Sequence, residues 1–251
     1  MILFLTYHKV LRGPEAKPEF YTTWAEQMER QLKMLARTGF HALCPAELLS
    51  VKANPLPSYI LSFDDGTEDH HKVVLPLLAR YNCRAIFFVP TAKLNRAGYL
   101  TTQQVSEISR AGHAIGGHSH EHSRLDRFVE EDIRVQMELS RQILGELMGT
   151  PPVFFAPPGG FIDARVSAIA FESGVRAIRT MRWGYNRQPN LAALDCIPVN
   201  RFFTDEDFGR ILKFRKNRTL LYGAKEVTKK LLPAKAYETL RNRVFGFRGP
   251  K

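Results

Sequence analysis

Tyr59-Ile60-Leu61-Ser62-Phe63-Asp64-Asp65-Gly66 is the stretch on which the reading of the fold turns. Its first five residues form a short apolar run without polar alternation, the pattern of a strand covered on both faces. Asp-Asp-Gly then marks the point where that strand gives way to a turn. Two adjacent carboxylates at a strand end leave one free to ligate a metal and the other to take protons.

Working outward, similar runs stand at residues 2–7, 85–89, 114–116, 153–155, 175–178 and 196–199. Helical patterns fill the gaps. Thr22 and Thr23 can cap a helix carrying Trp24, Met28, Leu32 and Leu35; Thr101 and Thr102 open another with Val105 and Ile108, ending at Gly112; residues 132–148 show helical spacing before Gly149. Strand followed by helix, repeated about seven times, predicts an α/β fold with a parallel sheet, and that number of units favours a closed or nearly closed barrel. With no internal repeat, low-complexity tract or long Gly/Ser linker, the economical division is one domain over 1–209 and a basic, helical C-terminal extension over 210–251.

At 251 residues, with 44% hydrophobic and 24% charged residues, the chain has the composition of a globular protein with a substantial core. Cys44, Cys83 and Cys196 are widely spaced and lack any CxxC pairing, which argues against a disulfide framework or a thiolate zinc site and for a reducing setting. The first residues, Met1 to His8, lack the basic start and cleavage site of a signal peptide, and no run reaches the length of a membrane span. The expectation is a cytoplasmic protein, with the inner face of the membrane as one place for it to work.

The formal charge of +11 is unevenly placed. From Arg210 to Lys251 there are 13 Lys and Arg against Glu226 and Glu238, whereas the first 209 residues hold 23 basic and 23 acidic residues. Interleaved with Leu220, Leu221, Tyr222, Leu231, Leu232, Tyr237, Leu240, Val244, Phe245 and Phe247, this basic segment has an amphipathic character suited to an anionic membrane surface. A terminal helix packed on the domain with a solvated basic face fits as well. Nucleic acid is the weaker partner class.

His118-Ser119-His120-Glu121-His122 supplies the second part of a candidate site. Histidines four apart can share a face of a helical turn and hold one ion, with His120 turned away and Ser119 bonded within the loop. In a parallel barrel the chemistry gathers at the carboxyl ends of strands. His8, Asp64-Asp65, His118 and Pro157-Pro158-Gly159-Gly160 each follow an expected strand. Singly, each has an ordinary explanation as a turn, a core histidine or a loop; their common placement is what joins them. His70 and His71 read as a solvated helix start.

SFDDG, HSHEH and the Pro-Pro-Gly-Gly loop after Phe154-Phe155-Ala156 resemble motifs of the polysaccharide deacetylases, the carbohydrate esterase family 4 or NodB-homology domain. The resemblance covers residues 1–203 and implies a distorted (β/α) barrel. It also implies that Asp64 is the catalytic base and that Asp65, His118 and His122 bind one divalent metal, usually Zn2+. A backbone N–H of the loop at Pro158 and Gly159 would receive the oxyanion, and Trp183 loosely matches a tryptophan motif that could stack on a sugar, packing in the core or a lid being the alternative.

Two departures stand out. The family's usual acid is a histidine in a C-terminal motif, yet no histidine follows His122. Tyr7-His8 is similar instead to the N-terminal Tyr-His of a subgroup of exopolysaccharide poly-N-acetylglucosamine deacetylases, which makes His8 the expected acid. The arginine that usually steadies the base is Ala156 here, leaving Arg201 or Arg182 to replace it. The resemblance implies a metal-dependent hydrolase that removes N-acetyl groups from a cell-surface glycan or its lipid-linked precursor. A deformylase of a lipid-linked amino sugar, or a catalytically weak glycan-binding module, are the alternatives.

Overall fold

In the computed structural model, which describes residues 1–13, 18–50 and 57–214, seven parallel strands close into a barrel. They are β1 (Ile2–Tyr7), β2 (Ser58–Phe63), β3 (Ala85–Val89), β4 (Ala114–Gly117), β5 (Phe154–Phe155), β6 (Ala177–Trp183) and β7 (Leu194–Pro198). Each pairs with its neighbours in sequence, and β1 closes the ring by pairing with both β2 and β7. The closing registers set Thr6 opposite Ser62 on one side and Pro198 on the other. The runs predicted from sequence thus all become strands.

Their continuous apolar character has a simple cause: each strand is buried on both faces. Inward residues Ile2, Phe4, Ile60, Ile86, Phe88, Phe154, Met181, Leu194 and Cys196 form one cluster. Their outward neighbours Leu3, Leu5, Leu61, Phe63, Phe87 and Val89 pack on Met28, Leu32, Leu35, Leu78, Val105 and Ile108 of the surrounding helices. Gly116 makes room for the inward Phe88, whose ring would lie 2.6 Å from a Cβ at that position.

Helices α1 (Ala25–Ala36), α2 (Leu75–Arg80), α3 (Thr102–Arg110), α4 (Glu130–Met148) and α5 (Ala164–Glu172) cover the barrel, and α6 (Asp205–Leu212) follows β7. The β6–β7 connection carries no helix, one source of the distortion. Thr101 caps α3 as expected, its side chain accepting from Gln104 N–H while Gln104 returns a bond to the cap. Gly149, at φ 76°, ends α4. The expected cap at Thr22 and Thr23 is not formed: α1 starts after Trp24, without a side-chain cap. Both threonines are fully buried, and Thr23 N–H donates to Lys9 C=O in a short parallel ladder with Val10–Leu11. That pairing holds the chain extended up to the helix.

No helix among the described residues is long and apolar enough to cross a membrane. Of the 210–251 extension, all beyond residue 214 lies outside the described residues, and α6 runs across the expected boundary at 209.

Candidate active site

At the carboxyl end of β2, Asp64 N–H donates to Tyr7 C=O at 2.9 Å, carrying the β1–β2 ladder one step past the strand. Strand alternation then aims Asp64 inward, above Ser62 and Thr6, whose hydroxyls meet at 3.0 Å inside the barrel. Asp64 is 2% exposed. The next residue breaks the pattern: Asp65 has φ 76° and is followed by Gly66 at φ 60°. This left-handed turn swings the Asp65 carboxylate away from the strand and towards the end of β4.

There it meets both expected histidines. His118 Nε2 lies 3.3 Å and His122 Nε2 3.0 Å from Asp65 Oδ1. One ligand atom from each of the three residues falls within 4.8 Å of the others. The histidines do not share a helical face, however. Residues 118–124 form a loop with left-handed turns at Ser119 (φ 57°) and His122 (φ 64°), so the i, i+4 spacing works through two reversals of the chain. Ser119 Oγ, expected to bond within the loop, is buried and has no hydrogen-bond partner among the described residues. His120 stays out of the trio although the segment is not helical, its Nδ1 2.8 Å from Thr91 Oγ1.

The donor set suits a divalent cation. His118 Nδ1–H donates to Ala156 C=O at 2.6 Å, which fixes the tautomer and leaves the Nε2 lone pair directed at Asp65. Two imidazole nitrogens and one carboxylate oxygen are a common zinc ligand set that keeps a fourth position open. His122 and Asp65 hold each other. Burial opposes charge on both, yet His122 keeps the Asp65 carboxyl well below its ordinary range, and Asp65 raises His122 above its own.

The residue that sequence reading missed is Arg179. Neither Arg182 nor Arg201 reaches Asp64: Arg182 pairs with Asp195 at the surface, and Arg201 donates to Pro18 C=O. Instead Arg179, 1% exposed on the inward face of β6, forms an ion pair with Asp64 Oδ2. Its guanidinium also lies 5.1 Å from the centroid of the Phe88 ring. Burial penalises the charge, but Asp64 more than restores it. A signal existed in the chain: strand alternation sets Arg179 on the same face as the apolar Ala177 and Met181, and an arginine buried there needs an anion inside the barrel.

His8, just past β1, completes the group. Its Nε2 is 3.8 Å from Asp64 Oδ2, and its ring stacks on Tyr21 with centroids 4.4 Å apart. Burial lowers its pKa, with Asp64 pulling the other way. Pro158 and Gly159 lie in the turn after β5, where Gly159 has φ 63°; Pro158 is buried and Gly159 exposed. Trp183 sits elsewhere. A register shift between β6 and β7 at Leu194/Cys196 accompanies its packing on the outer cluster, edge-on to Tyr185 at 5.5 Å. His70, expected in solvent, is fully buried, while His71 is partly exposed and pairs with Glu107.

Residues 52–178 match the family model described as polysaccharide deacetylase. A peptidoglycan-N-acetylglucosamine deacetylase of Bacillus cereus is 32% identical over 134 residues, 51% of this chain and 57% of that protein. The chain thus spans little more than half the length of that curated relative. Among solved structures, the fold is similar to Streptococcus pyogenes deacetylase PplD in complex with acetate (TM-score 0.76, 22% identity, 86% of this chain and 98% of that one). It is similar also to IcaB from Ammonifex degensii (TM-score 0.75, 20% identity, 85% and 96%).

Proposed function

Because this chain belongs to the polysaccharide deacetylase family, we propose that it is a metal-dependent de-N-acetylase acting on acetamido sugars of a cell-surface polysaccharide or its lipid-linked precursor. The observation that carries the reading is the clustering of Asp65, His118 and His122 beside a buried Asp64–Arg179 pair, with His8 Nε2 3.8 Å from Asp64 Oδ2. These are the groups that amide hydrolysis needs: a ligand set, a base and an acid.

Asp65, His118 and His122 would hold one divalent ion, Zn2+ by the nature of its donors, supplying a Lewis acid for the acyl oxygen and the attacking water. Asp64 is the base. Arg179 occupies Oδ2, while Oδ1 has no hydrogen-bond partner among the described residues and is the atom that accepts the water proton. Arg179 also keeps the carboxylate oriented, the part assigned in related sequences to the residue that is Ala156 here. The arginine answers one of the two grounds for a module without turnover, the loss of the loop arginine at Ala156.

An amine leaves only when protonated, and His8 is the donor, its Nε2 3.8 Å from Asp64 Oδ2. A backbone N–H of the turn around Gly159 receives charge on the acyl oxygen. Gly160 keeps this turn tight, since a Cβ there would lie 2.8 Å from Met181 N.

Release of free amine and acetate from N-acetylglucosamine oligomers by purified, metal-loaded protein tests the reading. Asp64→Asn is expected to keep its metal and lose about 100-fold or more in kcat, whereas His118→Ala loses the metal. Full activity in Asp64→Asn would refute the assignment, and release of formate from an N-formylated amino sugar without acetate from the N-acetylated oligomer would identify a deformylase.

A further inference from the structure

Asp69 and His70, consecutive residues of the β2–α2 connection, reach across to the chain that follows β1. His70 Nε2–H donates to the carbonyl of His8 at 2.8 Å. Asp69 Oδ2 accepts from Val10 N–H at 2.7 Å. Between them, Lys9 C=O accepts from Thr23 N–H at 2.8 Å. Each of the three residues 8, 9 and 10 therefore has a backbone group held, residues 8 and 10 from the β2–α2 connection and residue 9 from Thr23.

His70 is built for this position. It is fully buried, with its ring 5.6 Å from Phe63 and 5.7 Å from Phe87. Because a carbonyl oxygen only accepts, the proton sits on Nε2; Nδ1 has no hydrogen-bond partner among the described residues. The ring lies at the start of a π-helical turn, His70–Val74, the only such segment among the described residues. Wide turns of this kind are rare and concentrate at functional sites. This turn sits five residues after Asp65, so one connection carries Asp64 and Asp65 at its start and the grip on His8 at its end.

We propose that His70, assisted by Asp69, is a positioning residue for His8, fixing the backbone from which the imidazole reaches the leaving amine. The inference rests on His8 being the proton donor. Among the described residues the His70 side chain makes no other hydrogen bond, and a displacement of about 1 Å at a reacting group can cost on the order of 100-fold in rate.

The test compares two substrates of one active site, an N-acetylglucosamine oligomer and 4-nitrophenyl acetate. The amide needs a proton on its leaving group, whereas nitrophenolate departs without one. For metal-loaded His70→Leu we expect kcat on the amide to fall roughly 10- to 100-fold, with KM and the ester rate within about twofold of the parent. His70→Gln, which restores a donor, is expected to recover most of the loss. Should His70→Leu fold poorly, Asp69→Ala is expected to lower the amide-to-ester ratio in the same sense.

Equal losses on both substrates, or an unchanged ratio in both His70→Leu and Asp69→Ala, would overturn the proposal. His8→Ala separates this failure from failure of the underlying reading. If it too lowers amide and ester alike, His8 is not the acid and the proposal falls with that role; if it spares only the ester, the acid stands and the positioning role is judged alone.

Discussion

Asp64 and Asp65 are neighbours in sequence and opposites in surroundings. Asp64 is buried against Arg179, whereas Asp65, turned by a positive φ, faces two histidines. The Arg179 pairing gives the first prediction. Replacing Arg179 with Met leaves an uncompensated carboxylate inside the barrel, expected to cost about 3–5 kcal/mol in stability. Adding Asp64→Asn to that variant should return more than about 1 kcal/mol, since the buried charge is then gone. Denaturant unfolding of the double-mutant cycle checks this, and an Arg179→Met protein as stable as its parent would refute it. The second prediction concerns His122, whose pKa Asp65 raises in the metal-free protein. A raised imidazole is protonated to higher pH, and a metal must displace that proton. Metal binding near neutrality should therefore release up to about one proton and weaken as pH falls through the raised His122 pKa. Calorimetry in buffers of different ionisation enthalpy measures the count; zero release between about pH 6 and 8 would show His122 neutral before binding. The candidate ligands and base were legible because their types and spacing are chemical signatures. Arg179 was not, because its partner lies 115 residues away in sequence and only barrel closure joins them.

Among the elements, the strands and the caps of α3 and α4 were legible because they follow from local rules: continuous apolar runs, a Thr-x-x-Gln box and a terminal glycine. Where a long-range pairing competes, the local rule fails. Thr22 and Thr23 look like caps, but the Val10–Thr23 ladder claims that backbone first. The 118–122 segment has helical spacing, but Gly117 C=O accepts from Ala156 N–H and His118 Nδ1–H donates to Ala156 C=O, which ties its start to β5 rather than to a helix. The turn after β5 yields the third prediction. Gly160 has φ 71°, and a side chain there would meet Met181 Cβ as well as its backbone. Gly160→Ala should combine a left-handed backbone penalty with overpacking, about 2 kcal/mol or more. For a chain of this size that corresponds to at least about 4 °C in Tm. Gly149→Ala, at a comparable φ of 76° but with open space around it, isolates the backbone contribution and should cost less. Equal losses in the two would remove the steric argument at Gly160.

For the whole molecule, the decisive fact is the separation of charge from chemistry. Residues 1–209 carry no net formal charge, so the barrel by itself has no net attraction to an anionic surface, while residues 210–251 carry all of the +11. Each Lys or Arg near an anionic bilayer is worth about 1 kcal/mol, falling away within a Debye length. Between Lys225 and Lys251 the sequence holds eight basic and two acidic residues with Leu, Val, Tyr and Phe interspersed. If this segment brings the barrel to a lipid-linked substrate, the full chain should sediment with vesicles containing anionic lipid and not with purely zwitterionic ones, and high salt should weaken the association. Deleting residues 225–251 should reduce binding at least tenfold on the order of the loss of a few such contacts, while leaving amine release from a water-soluble N-acetylated oligomer unchanged, because no candidate catalytic residue lies beyond residue 179. Unchanged vesicle binding after deletion would assign the basic segment to another role, and a fall in soluble-substrate turnover would show that the barrel depends on it.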